Sequence, residues 1–406
     1  MKILLIAPRL PVPPDTGAKI RTFNLMKQMK KFCDVDLVCF SFEKDDQRHA
    51  ESLRKMGISV HLVPLSDPNV LSKAIGVLFH PQPFSIAKYH TASMVKTIRT
   101  LKDTKRYDLV HVDHIHMAHY QRLFDQTSCV VDEHNVEYKI LERCAGVERS
   151  FLKRRMFLSQ ARKMKGFEAD AIRKFSASLA VSEEDATLLK KLSDGRTSVH
   201  VMDNGVDTEY FRISEEPEIG KSGVSSQENS LVFTGSMDWL PNDDAVLYFC
   251  KEILPLIWGV KSDVKFYVVG KNPSPAIKEM AQKDNRIIVT GVVEDVRVFV
   301  QRSKIFVVPL RIGGGSRLKI LEAMSMRRAV VSTKIGAEGI KCAHGKDIMV
   351  ADHPEDFARE VLGLLNAPER RTELGRHARE LVCQQYDWSI LGKRLNTIYE
   401  ELVSKK

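Results

Sequence analysis

The chain lacks any apolar run long enough to cross a bilayer. Nothing in its 406 residues approaches the roughly 18 consecutive apolar positions a spanning helix needs; the nearest stretch, Ala74 to Phe79, stops at His80-Pro81. Ile3 to Ala7 ends at Pro8-Arg9, too short for a signal-peptide core, and reads as a buried strand. A cytoplasmic protein is expected, at most peripheral at the inner face of the cell membrane. Cys-x-x-Cys is also missing. The seven cysteines are odd in number, scattered, and have no histidine at zinc-ligand spacing, so a reduced compartment is expected. No strand runs into a Gly-x-Gly-x-x-Gly turn, which disfavours a nicotinamide-dependent dehydrogenase. No repeat or low-complexity tract is found.

Acidic residues are short in one half only. Residues 1–200 hold 33 Lys and Arg against 23 Asp and Glu, whereas residues 201–406 hold 29 of each. Such asymmetry suggests an anionic partner for the first half, a membrane surface or an acidic acceptor before nucleic acid, with a solvated basic face as the plain alternative. Its main contributors are Lys153, Arg154, Arg155, Arg162, Lys163, Lys165, Arg173 and Lys174, with Lys27, Lys30 and Lys31.

The length itself calls for two cores. Apolar runs suited to strands recur at Ile3–Ile6, Val35–Phe40, Val60–Val63, Leu109–Val112, Cys129–Val131 and Leu179–Val181, with helix-like segments between. After the polar stretch Ser214–Ser230 the rhythm restarts at Leu231–Thr234, Phe266–Val269, Ile287–Thr290, Ile305–Pro309, Ala329–Ser332 and Ile348–Val350. Continuous apolar strands alternating with helices mark parallel sheets covered on both faces. The expected architecture is α/β: a doubly wound domain over 1–203, a second over 204–386, and an amphipathic helix within 387–406. In such sheets ligands bind beyond the carboxyl ends of the strands, here in a cleft between facing domains.

The strongest local signal is the strand-to-helix stretch Pro309 to Met324, with Gly313-Gly314-Gly315-Ser316 before Arg317-Leu318-Lys319-Ile320-Leu321-Glu322. Glycines allow close backbone approach, Ser316 suits an N-cap, and the free N–H groups of a helix start attract anions. Arg317 and Lys319 oppose the helix dipole in the first turn, a conflict that a diphosphate would resolve. Glu322, three residues after Lys319, shares its polar face and can accept hydrogen bonds from two ribose hydroxyls.

This segment, with Arg328 to Thr333 and Gly336-Ala337-Glu338-Gly339, resembles the donor-site signature of family 4 of the retaining glycosyltransferases. The resemblance spans nearly the whole chain: Pro11 to Gly17, Val181 to Asp185, Asp203 to Asp207, Phe233 to Ser236, Val268 to Gly270 and Thr290 to Asp295 follow in the family's order. It implies the GT-B fold, two Rossmann-like domains facing across a cleft with the C-terminal helix returning to the first. It also implies transfer of a sugar from a nucleotide-diphosphate donor to a glycan, lipid-linked or small-molecule acceptor in cell-surface or exopolysaccharide synthesis. No cofactor and no catalytic metal are expected.

By the same resemblance Glu322 binds the donor ribose, and Gly17, His134, Gly235, Gly313, Gly314, Gly315, Ser316, Val293 and Glu294 belong to the donor site. Two features depart from the family. Gly314 stands where a second glutamate often touches the transferred sugar, and Gly235-Ser236-Met237-Asp238-Trp239 lacks the Arg and Lys many members carry after that strand. Arg317 and Lys319 are therefore expected to supply the charge on the departing diphosphate. Four histidines crowd Asp108 to His119; Asp113 and His114 are expected to face the donor sugar, and His111 to be a core residue. A metal site is not expected, since no further carboxylate is placed to complete one. The other readings open to the sequence are a nucleotide-sugar 2-epimerase of the same fold and a non-catalytic nucleotide-sugar-binding protein.

Overall fold

The computed structural model describes residues 1–65, 83–148, 150–213, 228–313 and 317–404. The apolar stretch Ala74 to Phe79, most of the polar stretch after Ser214, and Gly314, Gly315 and Ser316 lie outside the described residues.

The chain forms two compact units, one of Met1–Asp203 with Trp388–Lys406 and one of Asn204–Asp387. In the first, a seven-stranded sheet has the order β3-β2-β1-β4-β5-β6-β7. Its strands are β1 (Lys2–Ala7), β2 (Asp34–Ser41), β3 (Ser59–Pro64), β4 (Leu109–Asp113), β5 (Ser128–Glu133), β6 (Ala177–Ala180) and β7 (Ser198–Val201). The second unit has six strands, β8 (Ser230–Thr234), β9 (Lys265–Val269), β10 (Ile287–Gly291), β11 (Ile305–Val308), β12 (Ala329–Ser332) and β13 (Met349–Val350), in the order β10-β9-β8-β11-β12-β13. Every pairing between them is parallel.

The apolar runs produce this because a parallel strand with helices on both faces must be apolar at every position. All of β4, β6, β8, β11 and β12 is buried. Several helices carry their own start signals. Ser182 accepts from the Asp185 N–H ahead of three acidic residues, with Lys190 and Lys191 in the last turn. Thr91, Ser274, Asp295 and Thr333 cap theirs in the same way.

In both sheets the order reverses beside the first strand of the unit, between β1 and β4 and between β8 and β11. The carboxyl ends of those strands flank the switch point where ligands of such sheets bind. At that edge in the second unit the backbones of Gly235 and Gly270 abut, and a Cβ on Gly270 would lie 1.8 Å from the Gly235 carbonyl oxygen. The last helix, Trp388–Ser404, belongs to the first unit. It buries Leu391, Leu395, Ile398, Tyr399 and Leu402, and its Gly392 meets Gln28 of the helix Gly17–Met29.

Candidate active site

In the second unit the helix Leu318–Ser325 follows β11 beside β8. Ile320, Leu321, Ala323 and Met324 are buried, which leaves Lys319 and Glu322 on the half-buried side of the helix. The N-cap is Arg317, in extended conformation, and the helix begins at Leu318. The expectation of Ser316 as N-cap is thus corrected by one position, and Arg317 precedes the first turn instead of lying in it. Its guanidinium packs against Gly313, where a Cβ would meet Nη2 at 2.0 Å, and donates to the Ile335 carbonyl at 3.5 Å. No larger residue fits at Gly313 with the arginine so placed.

Lys319 Nζ donates to Asn242 Oδ1 at 2.8 Å and lies 3.9 Å from the centre of the Phe233 ring. Asn242 is fixed in turn by its amide, which donates to the Ser236 carbonyl at 2.8 Å. Both press on Gly235, where a Cβ would lie 2.8 Å from Lys319 Nζ and from Asn242 Nδ2. The ammonium therefore sits against the backbone just beyond β8, the place where the family's own Arg and Lys are missing. Both Lys319 and Glu322 keep some solvent access, but burial dominates their titration. It draws Lys319 down to about 7, helped by Arg317 and opposed by Glu322. It pushes Glu322 up to about 7 against the attraction of Lys319. Among the described residues no side chain donates a hydrogen bond to the Glu322 carboxylate. Two partly uncompensated charges on one helix face, beside glycines that bare the backbone, suit an anion joined to hydroxyl groups. Nearby, Gly291 ends β10 at φ 69°, Val293 is half-buried and Glu294 is exposed.

The first unit holds a different constellation at the carboxyl ends of β4 and β5. Arg21, fully buried on the helix Gly17–Met29, binds Asp132 through Nε at 2.9 Å and Nη2 at 2.6 Å, and donates to the carbonyls of Met202 and Asp203. Asp113 accepts from the Thr22 hydroxyl at 3.0 Å and lies 2.9 Å from His134 Nε2. Burial opposes charge on His134, but Asp113 and Asp132 outweigh it and hold the imidazole above its usual range. His111 is buried and shares a 2.5 Å hydrogen bond with the Tyr399 hydroxyl, as a core histidine would.

His114 adopts a left-handed φ of 75°; its Nδ1 lies 2.6 Å from His116 Nδ1, and its ring is 4.9 Å from that of His134. Burial and the neighbouring imidazoles hold His114 well below the usual value and bring His116 to about 4. Glu137 Oε1 is 3.6 Å from His114 Nε2, and burial raises its carboxyl to about 7. Gly17 opens its helix on the exposed surface after Thr16.

Arg21, Thr22, Asp132 and Asn242 were not among the expected site residues. The carboxylate thought missing from the histidine cluster is present: His111, Asp113 and Asp132 each bring one donor atom within 4.8 Å of the others. His111 Nδ1 is bonded to Tyr399 while its Nε2 lies 4.0 Å from Asp132 Oδ2; Asp113 is held by Thr22 and His134, and Asp132 by Arg21. A guanidinium bound to both oxygens of Asp132 supplies the positive charge that a cation would otherwise bring.

A lysine and a glutamate on one helix face beside β8 and β11 in a doubly wound sheet, with a second such unit in the chain, define a protein of two Rossmann-like units with a charged strand-end edge. Residues 15–210 match the family model "Glycosyltransferase Family 4", and residues 228–367 match "Glycosyl transferases group 1". Between them the two matches take in most of the chain, which belongs to the glycosyltransferases of this group and has their GT-B fold. A protein from Klebsiella pneumoniae described as an uncharacterized 44.6 kDa protein in the cps region is 20% identical over 398 residues, 95% of this chain and 96% of that one. Sucrose-phosphate synthase from Thermosynechococcus elongatus superposes with a TM-score of 0.77 at 14% identity, covering 100% of both chains. HepE of Anabaena in complex with UDP-glucose gives 0.70 at 14% identity over 100% of both.

Proposed function

We propose that the chain is a retaining glycosyltransferase that takes a sugar from a nucleotide-diphosphate donor held in the second unit and delivers it to a glycan or lipid-linked acceptor of surface polysaccharide. The observation that carries the donor reading is the placement of Lys319 Nζ against Gly235 and Asn242, one helical turn before Glu322. Lys319 and Arg317 meet the diphosphate, whose charge grows as the glycosidic bond breaks. Glu322 accepts from two ribose hydroxyls, Gly235 and Gly313 to Gly315 let the backbone approach, and Val293 and Glu294 complete the donor site. The UDP-glucose complex of HepE, on the same fold, supports a nucleoside diphosphate as the common part of the ligand. The cps region named for the Klebsiella relative supports the polysaccharide role.

In the first unit, His134 and His114, with Gly17, are the groups proposed to meet the transferred sugar. Asp113 acts through His134 and Thr22. Because Arg21 already neutralises Asp132 through both its oxygens, and Thr22 and His134 hold Asp113, the reaction is proposed to need no metal ion. With electrostatic stabilisation of the leaving diphosphate as the main contribution, no protein base is required at the acceptor. The test is calorimetric titration with UDP, GDP and ADP, followed by nuclear magnetic resonance of the product from the matching nucleotide sugar. The α-configuration of an α-linked donor survives in the product if the reading holds. Inversion overturns retention, and no affinity for any nucleoside diphosphate overturns the donor site.

A further inference from the structure

The helix Phe151–Ile172 is only half anchored. Its buried residues are Ala161, Met164, Glu168, Ala171 and Ile172, and none of the residues from Phe151 to Gln160 is buried. At 100° per residue the buried set defines one side of the helix, and Phe151, Leu152, Arg155, Met156, Ser159 and Arg162 fall on the other. A helix of a soluble protein is polar on the side away from its core. Here that side and its flank expose Phe151 at 68%, Leu152 at 78%, Met156 at 41% and Leu158 at 47%. These are four of the larger apolar side chains that the described residues leave in water, gathered on little more than two turns.

The charge around them is of one sign. From Phe151 to Phe167 the sequence contains six Lys and Arg and no Asp or Glu. Lys153, Arg154, Arg155, Arg162 and Lys165 are exposed, and Arg155 lies over the Phe151 ring at 5.6 Å. Arg173, by contrast, is held by Asp170 and Asp194 and belongs to a different, neutralised surface. We propose that the first half of this helix is a membrane-docking element that lies in the headgroup region of an anionic bilayer. Phe151, Leu152, Met156 and Leu158 enter the acyl boundary, while Lys153, Arg154, Arg155 and Arg162 meet lipid phosphates. Apolar side chains or cations alone bind a bilayer weakly and reversibly; the two together on one short exposed stretch of helix supply the paired signals that stable anchoring takes. Long Lys and Arg stems cover apolar surface and keep their charge at headgroup level.

This inference goes beyond the donor-site reading and does not depend on it, since vesicle binding is measured with no nucleotide sugar present. The experiment is co-sedimentation of the full chain with vesicles of phosphatidylcholine alone and of phosphatidylcholine mixed with phosphatidylglycerol, at low and high salt. Binding is expected only to the anionic vesicles and weaker at high salt. The double variant Phe151→Ser with Leu152→Ser is expected to bind at least about tenfold more weakly, with unchanged melting and unchanged UDP affinity. In a Leu152→Trp variant the indole emission is expected to shift to the blue on anionic vesicles only. Equal, negligible binding to both kinds of vesicle overturns the proposal, as does full binding by the double variant or an unshifted emission. Self-association that the double variant abolishes, without vesicle binding, overturns it too and assigns the face to a second copy of the chain.

Discussion

Arg21 reaches Asp132 through two hydrogen bonds and donates two more to carbonyls, while Lys319, at the carboxyl edge of the other sheet, makes one hydrogen bond to Asn242 and rests on an aromatic ring. Both are cations near a switch point. The first is paired with a carboxylate of its own protein, and the second retains donors for something else. A buried charge with all its bonds made is architecture, because removing its partner leaves an uncompensated charge. A charge left partly unmatched is held at a cost that a ligand can relieve. On the proposed reading, Arg21 helps build the protein and Lys319 meets its donor.

The largest expected effect tests the architectural side. Arg21→Met strands Asp132 in the core and should lower stability by about 3–5 kcal/mol, read from denaturant unfolding. A loss close to zero would break the comparison. Lys319→Ala should do the reverse: turnover falls by about 10²–10³ while the melting temperature holds or rises, because folding disfavours the charged form at that site. A raised Michaelis constant with intact turnover would make Lys319 a uniform binder of the donor. Glu322→Ala should weaken nucleotide-sugar binding by about 1.5–3 kcal/mol, and unchanged constants would sink the ribose assignment.

The pH dependence sharpens the same point. Lys319, at about 7, loses its positive charge as pH rises through that value, and Glu322, also at about 7, loses its negative charge as pH falls through it. Nucleoside diphosphate affinity should therefore peak near neutrality and decline on both sides. Calorimetry across pH should show Glu322→Gln flattening the acid limb and Lys319→Arg flattening the alkaline one. The smallest effect is Tyr399→Phe, which removes one hydrogen bond to His111 and should cost about 1 kcal/mol; no change in unfolding would mean that the contact is only steric.

Much of the fold was legible because its strands are continuous apolar runs, and the twelve expected strands are all found. β7 was missed. Ser198 to Val201 is a half-buried edge strand whose alternation of serine, valine and histidine resembles a loop. The glycine-to-helix segment pointed to this strand-end edge through local residues, but the pairing of Lys319 with Gly235 joins positions far apart in sequence and only the folded sheet creates it. Arg21 left a clue: with Leu25 and Met29 it lies at successive four-residue steps on the buried side of its helix. A cation on an apolar face signals a buried carboxylate partner, although Asp132 could not be chosen from the sequence alone.

The return of the last helix has a consequence for how the protein is made. The first unit leaves its own sequence at Asp203 and recovers it only at Trp388, so Tyr399 reaches His111, and Leu402 accepts from Ser128, after the whole second unit has been synthesised. Domains tend to fold in the order in which they leave the ribosome. Here the earlier one must wait with part of its apolar surface uncovered while the later one is completed. A nascent chain halted at Asp387 would present that surface to chaperones, and release of the final helix would close it.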